Sequence, residues 1–189
     1  MEVVTRRFLL RDFEPRDTPA FEAYHAAPRS IEFYGDEQSR PEHARELLEL
    51  FGRWAREEPR LNYQLAIVRR AAAQTLVGCC GLRCAGAGPG RAELGIELAS
   101  EYWGRYRYAL EVMLALVDFG FSEMGLREIY GGTVSDSARI ARLADSFGAM
   151  AVVRAGPYWM AAKGWRQVEW RIAREQWWQH RAAEPHRLG

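Results

Sequence analysis

Residues 91–121, "RAELGIELASEYWGRYRYALEVMLALVDFGF", change hydrophobic period without a linker between the two patterns. Over 91–100, Ala92, Leu94, Ile96 and Leu98 alternate with Glu93, Gly95, Glu97 and Ala99. This is the period of a strand with one apolar face and with Glu93 and Glu97 together on the other. From 110 onward, Leu110, Met113, Leu114, Val117 and Phe121 recur at helical spacing, and "MGL" ends the run on glycine. A strand that passes directly into a helix brings the chain to a helix N-terminus, where free backbone N–H groups and the positive end of the dipole receive anions. The turn between them holds Gly104, with Arg105 and Arg107 set among Trp103, Tyr106 and Tyr108. Arginines placed there suit charge-assisted hydrogen bonds to an anionic group. They equally suit a solvated turn whose arginine stems cover aromatic neighbours.

The remaining pattern supplies a frame for that junction. "EVVTRRFLLRDF" predicts an opening strand, and "DTPAFEAYH" predicts a helix with Asp17 or Thr18 as N-cap and Pro19 in its first turn. Ala44, Leu47, Leu48, Phe51 and Trp54 mark a second amphipathic helix. "NYQLAIVRR" and "TLVGCCGLRC" predict an antiparallel hairpin. "REIYGGTV" is a strand, "SARIARLADSFG" a helix capped by Ser135, Asp136 or Ser137, and strands around "MAVVRAGPYW" and "QVEWRIAR" precede a polar tail from about residue 180. The order of elements predicts an α/β fold: a mixed, mostly antiparallel sheet of about seven strands with helices on both faces. Nothing divides the 189 residues into more than one domain, so the expectation is a single domain over 1–189.

Twenty-six Lys and Arg against 25 Asp and Glu leave no charge excess that asks for nucleic acid or an anionic membrane surface. No apolar run approaches the roughly 18 residues of a membrane span, and the N-terminus lacks a secretory pattern; a cytoplasmic protein is expected. Cys79, Cys80 and Cys84 are odd in number and lie within one strand, and the four histidines are scattered. Reduced, partly buried thiols and no metal site are therefore expected.

Several stretches resemble a known family. "TRRFLLRDFEPRDTPAFEAY", "AELGIELASEYWG" and "VSDSARIARLADSFGA" are similar to the opening strand and helix, the central strand and the late strand–helix junction of GCN5-related N-acetyltransferases (GNAT), in particular the ribosomal-protein alanine acetyltransferase branch. The resemblance covers roughly residues 4 to 175 and implies a splayed central strand pair, with the pantetheine arm of acetyl-CoA in the gap and its diphosphate on the next turn. It places pantetheine on Leu98 and Ala99, and diphosphate on Trp103, Gly104, Arg105, Tyr106, Arg107, Tyr108 and Ala109. The branch pattern Trp-Gly-x-Gly-Tyr-Ala is altered here: Trp103, Gly104, Ala109 and Glu111 are kept, one residue is inserted, and Arg107 stands where the second glycine belongs. Where the family has an asparagine and a serine at the late helix, this chain has Asp136 and Arg139, and they too fall among the implied cofactor contacts.

Acetyl transfer to an amine needs a neutral nitrogen, an oriented thioester and a proton acceptor. Glu93 and Glu97 are the candidate general bases, and their structural alternative is pairing with arginines on a strand face. Tyr106 and Tyr108 either flank the adenine or pack. Trp159, Trp165, Trp170, Trp177 and Trp178 either fill the core or line an acceptor pocket or a homodimer contact. The implied activity is an acetyl-CoA-dependent N-acetyltransferase acting on a protein N-terminal or small-molecule amine. Two alternatives stay open: a binding or regulatory module whose phosphate turn has diverged, and a transferase that uses another acyl thioester.

Overall fold

A computed structural model describes residues 1–28, 40, 42–71, 75–104 and 107–183. Its first element departs from the expected single strand. Thr5 breaks "EVVTRRFLLR" into β1 (Glu2–Val4) and β2 (Phe8–Arg11), paired antiparallel. The Thr5 amide donates to the Phe8 carbonyl at 2.9 Å, and the Thr5 hydroxyl accepts from the Phe8 amide at 2.9 Å. A side chain that bonds local backbone in this way competes with a continuous strand.

The sheet continues with β3 (Asn62–Arg69), β4 (Leu76–Arg83), β5 (Arg91–Leu98), β6 (Glu128–Val134), β7 (Met150–Arg154) and β8 (Gln167–Ala173). Its order is β1-β2-β3-β4-β5-β6-β8-β7, eight strands among the described residues where the sequence pattern suggested about seven; the split opening strand is the difference. Every pairing is antiparallel except β5 with β6.

Period-two alternation assigns the two faces. Phe8, Leu10, Leu65, Ile67, Cys80, Leu82, Leu94, Leu98, Ile129 and Ile172 pack against α3 (Tyr108–Ser122), whose Leu110, Met113, Leu114, Val117 and Phe121 are buried, as the helical spacing predicts. The opposite face uses Ala66, Val68 and Cys79 to seat Phe21 and Tyr24 of α1 (Thr18–His25) and Ala44 and Phe51 of α2 (His43–Trp54). At α1, Asp17 is the N-cap residue but makes no side-chain cap bond to the helix. Its buried carboxylate instead receives both Arg11 Nη atoms, at 2.7 and 2.9 Å, and the Glu14 amide at 2.8 Å. A bidentate pair of this kind satisfies both buried charges.

β6 is followed by α4 (Ala138–Asp145), and a short α5 (Tyr158–Ala162) lies between β7 and β8. The C-terminal segment is helical over α6 (Arg174–Ala183), where the sequence pattern had suggested the end of a strand and then a polar tail. Trp177 anchors it: fully buried, stacked on Phe147 at 5.7 Å, its Nε1–H donating to Asp118 Oδ1 at 2.8 Å. The rest of the attachment is polar. Gln176 donates to the Gly148 carbonyl, and His180 Nε2 lies 3.1 Å from the Ser146 carbonyl. One aromatic plus hydrogen bonds leaves no hydrophobic period to detect. Replacing Trp177 with Ala should lower the unfolding free energy by about 3–5 kcal/mol, the range for a buried aromatic; denaturant titration measures it.

Candidate functional site

The parallel pair β5–β6 is registered at Arg91↔Glu128, Ala92↔Ile129 and Glu93↔Tyr130, and stops there. Both strands run on. β4 holds β5 as far as Gly78↔Leu98, while β8 holds β6 as far as Val134↔Gln167, so the two halves of the sheet diverge. Backbone direction alternates along a strand, and the Ala99 amide donates to the Val77 carbonyl at 2.9 Å on the β4 side. Leu94, Ile96 and Leu98 consequently turn their amides and carbonyls toward β6. The Leu94 carbonyl faces Gly131, where a Cβ would come within 3.1 Å of that oxygen. Beyond it Ile96 and Leu98 border the opening. Trp103 Nε1–H takes the Leu98 carbonyl at 2.7 Å, so Leu98 offers its amide and Ile96 both of its groups. Ala99, 4% exposed and bonded to β4, faces away from the opening.

The chain then makes a 3₁₀ turn over Ser100–Tyr102 and reaches Trp103 and Gly104, the latter at φ 68°. Arg105 and Tyr106 lie outside the described residues. Arg107, the N-cap residue of α3, sits at φ 56°, ψ 36°. It is the one described non-glycine residue with positive φ. Arg107, which the resemblance sets at a glycine position, takes a conformation that glycine favours, at a cost of about 1–2 kcal/mol. The first intrahelical bond runs from the Glu111 amide to the Arg107 carbonyl at 3.1 Å, and the amides of 108–110 precede it. Tyr108 packs: it is buried edge-on against Phe8 at 4.9 Å. Ala109 is half-buried against the same core.

A clamp fixes this helix start. Glu111 accepts from the Thr5 hydroxyl at 2.7 Å, from the Arg7 amide at 2.8 Å and from Arg7 Nε. Burial alone would push the Glu111 carboxyl up, but those hydrogen bonds and the Arg7 charge hold it below its usual value. From across the opening, the Arg139 guanidinium lies 3.9 Å over the Trp103 ring, while Asp136 is exposed in the turn before α4. Arg139 thus brings one cation to the lip of the opening.

The two candidate bases occupy different environments on one sheet face. Glu93, paired with Arg83 at 3.3 Å, is the ion-paired strand carboxylate. Arg83 also donates to Gln64 Oε1 at 3.1 Å, and Gln64 Nε2 to Cys79 Sγ at 3.3 Å. Glu97, four residues on, is raised by burial to about 7, and its Oε2 lies 3.7 Å from His25 Nε2. Glu93 is thus held in an ion pair, whereas burial disfavours the charged form of Glu97. Burial raises all three cysteine thiols, which argues against a nucleophile. Thr5, Arg7, Gln64, Arg83 and His25 carried no local sequence signal. They enter the site through pairings across the sheet and from the helices above it.

The sequence profile of the acetyltransferase (GNAT) domain matches residues 7–150. The chain belongs to the GNAT acetyltransferase family. This GNAT domain is 28% identical over 140 residues to the uncharacterized N-acetyltransferase YoaA of Bacillus subtilis (strain 168), covering 74% of this chain and 77% of that protein. Its fold matches a GNAT-family acetyltransferase from Bacillus anthracis with a TM-score of 0.74 at 19% identity, over 93% of this chain and 99% of the other. It also matches the spermidine N-acetyltransferase of Vibrio cholerae, solved with CoA and spermine, with a TM-score of 0.72 at 17% identity, over 90% and 98%. The mixed sheet with helices on both faces is the GNAT fold. No group of three or more His, Cys, Asp or Glu suited to a metal occurs among the described residues.

Two measurements check this geometry. Arg107→Gly should match or exceed the native thermal midpoint, and Arg107→Val should fall below Arg107→Gly by about 1–2 kcal/mol, because only glycine relieves the left-handed backbone. For Glu97 the folded value, about 7, lies above the ordinary 4.5, so ionising it opposes folding. That penalty is absent below pH 4.5, grows as pH rises, and is complete above 7. The stability of Glu97→Gln relative to the native protein should therefore increase from pH 4.5 to 7.5, by about 2 kcal/mol after discounting for partial exposure.

Proposed function

We propose that the protein is an N-acetyltransferase that moves an acetyl group from acetyl-CoA to a primary amine by direct attack in a ternary complex. The observation that carries this reading is the parallel pairing that ends at Glu93↔Tyr130 while both strands continue, leaving strand edges opposite one another. The residues present fit the donor. Leu98 and Ile96 offer backbone groups to a pantetheine amide, and Gly131 keeps the inner end of the gap open. The start of α3, with Trp103, Gly104, Arg107 and Ala109 and the sequence neighbours Arg105 and Tyr106, receives diphosphate. Arg139 adds a cation from the other lip, and Asp136 lies beside it. Tyr108 supports this seat from the core.

Bound there, acetyl-CoA supplies an acyl carbon activated as a thioester. Glu97 holds and moves the proton: in its ionised form it accepts from the incoming amine, which leaves a nitrogen lone pair for attack. Glu93 remains ion-paired with Arg83 and shapes the acceptor side of the sheet. The acceptor class follows from likeness: the branch resemblance favours a protein N-terminal amine, and the polyamine enzyme among the structural neighbours favours a small amine.

Glu97→Gln should lower kcat by about 10²–10⁴ while CoA affinity stays within about twofold. In the native enzyme kcat should rise with pH through about 7 as Glu97 ionises. Thiol release with spermidine and with an alanine-leading peptide measures both. Replacing Arg105 and Arg107 together with Ala should weaken CoA binding by about 1–3 kcal/mol in calorimetry; unchanged affinity removes their role. No CoA binding by the folded native protein would overturn the assignment.

A further inference from the structure

Arg6, Arg7, Arg69 and Arg70 gather at one end of the β2–β3 pair, beside the start of α3. Arg6 is exposed in the turn between β1 and β2, Arg69 ends β3, and Arg70 follows it into solvent. The Arg70 amide donates to the Arg7 carbonyl at 2.9 Å, and Arg70 Nη1 donates to the Thr5 carbonyl at 2.9 Å, which ties the β1–β2 turn to the end of β3. Register sets Arg69 opposite Phe8, on the α3 face of the sheet, and the Phe8 ring touches Tyr108, the first residue of α3. Tyr102 is the next neighbour, its ring 6.2 Å from that of Tyr108. Burial and Glu101 raise the Tyr102 hydroxyl, and the Arg69 charge acts on it in the opposite sense.

The charges at this rim are unevenly matched. Glu111 takes Arg7. Among the described residues, none of Arg6, Arg69 and Arg70 makes an ion pair with a carboxylate. Arginines spread over a surface are ordinarily solvated. These stand together, in a chain whose 26 Lys and Arg nearly cancel 25 Asp and Glu, and they border the helix start that the proposed function gives to diphosphate.

Acetyl-CoA carries a further phosphate, a monoester on its ribose 3′ oxygen, one sugar away from the diphosphate. Such a group holds about −1.5 to −2 charges at neutral pH. Guanidinium groups pair with it through two parallel N–H···O bonds. We propose that Arg69 and Arg70, with Arg6 beside them, receive the 3′-phosphate, so that the enzyme distinguishes CoA from thioester donors that lack it. Arg70 is oriented by Nη1 on the Thr5 carbonyl and keeps Nε and Nη2 for the ligand. This rests on the start of α3 being the diphosphate seat.

Calorimetry of the full-length protein with CoA and with 3′-dephospho-CoA tests the assignment. The native protein should bind CoA about tenfold more tightly, by a margin that shrinks as salt is raised, because the rim is open to solvent. Arg69→Gln combined with Arg70→Gln should bring the two ligands to within about twofold, with dephospho-CoA affinity itself changed by less than about twofold. In turnover with spermidine, acetyl-dephospho-CoA should raise KM about tenfold and leave kcat within about twofold, since the 3′-phosphate is held equally in the ground and transition states. If the native protein binds CoA and dephospho-CoA alike, the inference is overturned and the diphosphate seat stands. A preference for CoA that survives in the double variant overturns the assignment to these arginines. If neither ligand binds, the donor reading falls with it. The native comparison needs no variant.

Discussion

Three parallel residue pairs, Arg91↔Glu128 to Glu93↔Tyr130, join the two halves of the sheet, and the site exists because there are only three. Each half is completed by antiparallel partners of its own, β4 for β5 and β8 for β6. Separating the strands beyond Glu93 therefore leaves just the facing groups of a few residues without ladder partners. A backbone group buried without a partner costs about 1–3 kcal/mol. Such an edge is kept only where water or a ligand reaches it. Trp103, with its indole on the Leu98 carbonyl, satisfies one of these groups and fixes where the opening ends.

The same face shows how two identical side chains on one strand acquire different chemistry. Arg83 holds Glu93 in an ion pair. Glu97 lies nearer α1, where apolar and aromatic neighbours replace solvent and the charged form is disfavoured. Distance along β5 from the helical layer, rather than residue type, separates the ion-paired carboxylate from the buried one.

Alternation along 91–98 was legible and placed Glu93 and Glu97 on one face correctly, because a strand paired on a core has only two faces. The α3 stripe was equally legible. The β3–β4 hairpin followed from two β-rich runs and a short connection. The Thr5 break and α6 were not legible: one depends on a hydroxyl bonding nearby backbone, the other on Trp177 finding Phe147 and on polar bonds to loop carbonyls. At the site, resemblance pointed to the 103–109 turn. It did not reveal that Arg107 would take a left-handed backbone, or that Ala99 would turn its amide toward β4. Those features depend on register, which a single strand's pattern does not contain. The approach of His25 to Glu97 was invisible for the same reason, since the two lie 72 positions apart (25 to 97).

The clamp of Thr5 and Arg7 on Glu111 bears on how the molecule is born. Its partners are separated by 104 to 106 positions, and one of them sits in the first turn of α3. During synthesis the opening hairpin leaves the ribosome long before that carboxylate exists, and loop-closure entropy must be met before the contact forms. The hairpin waits, and the start of α3 is fixed only when the middle of the chain returns to meet the beginning.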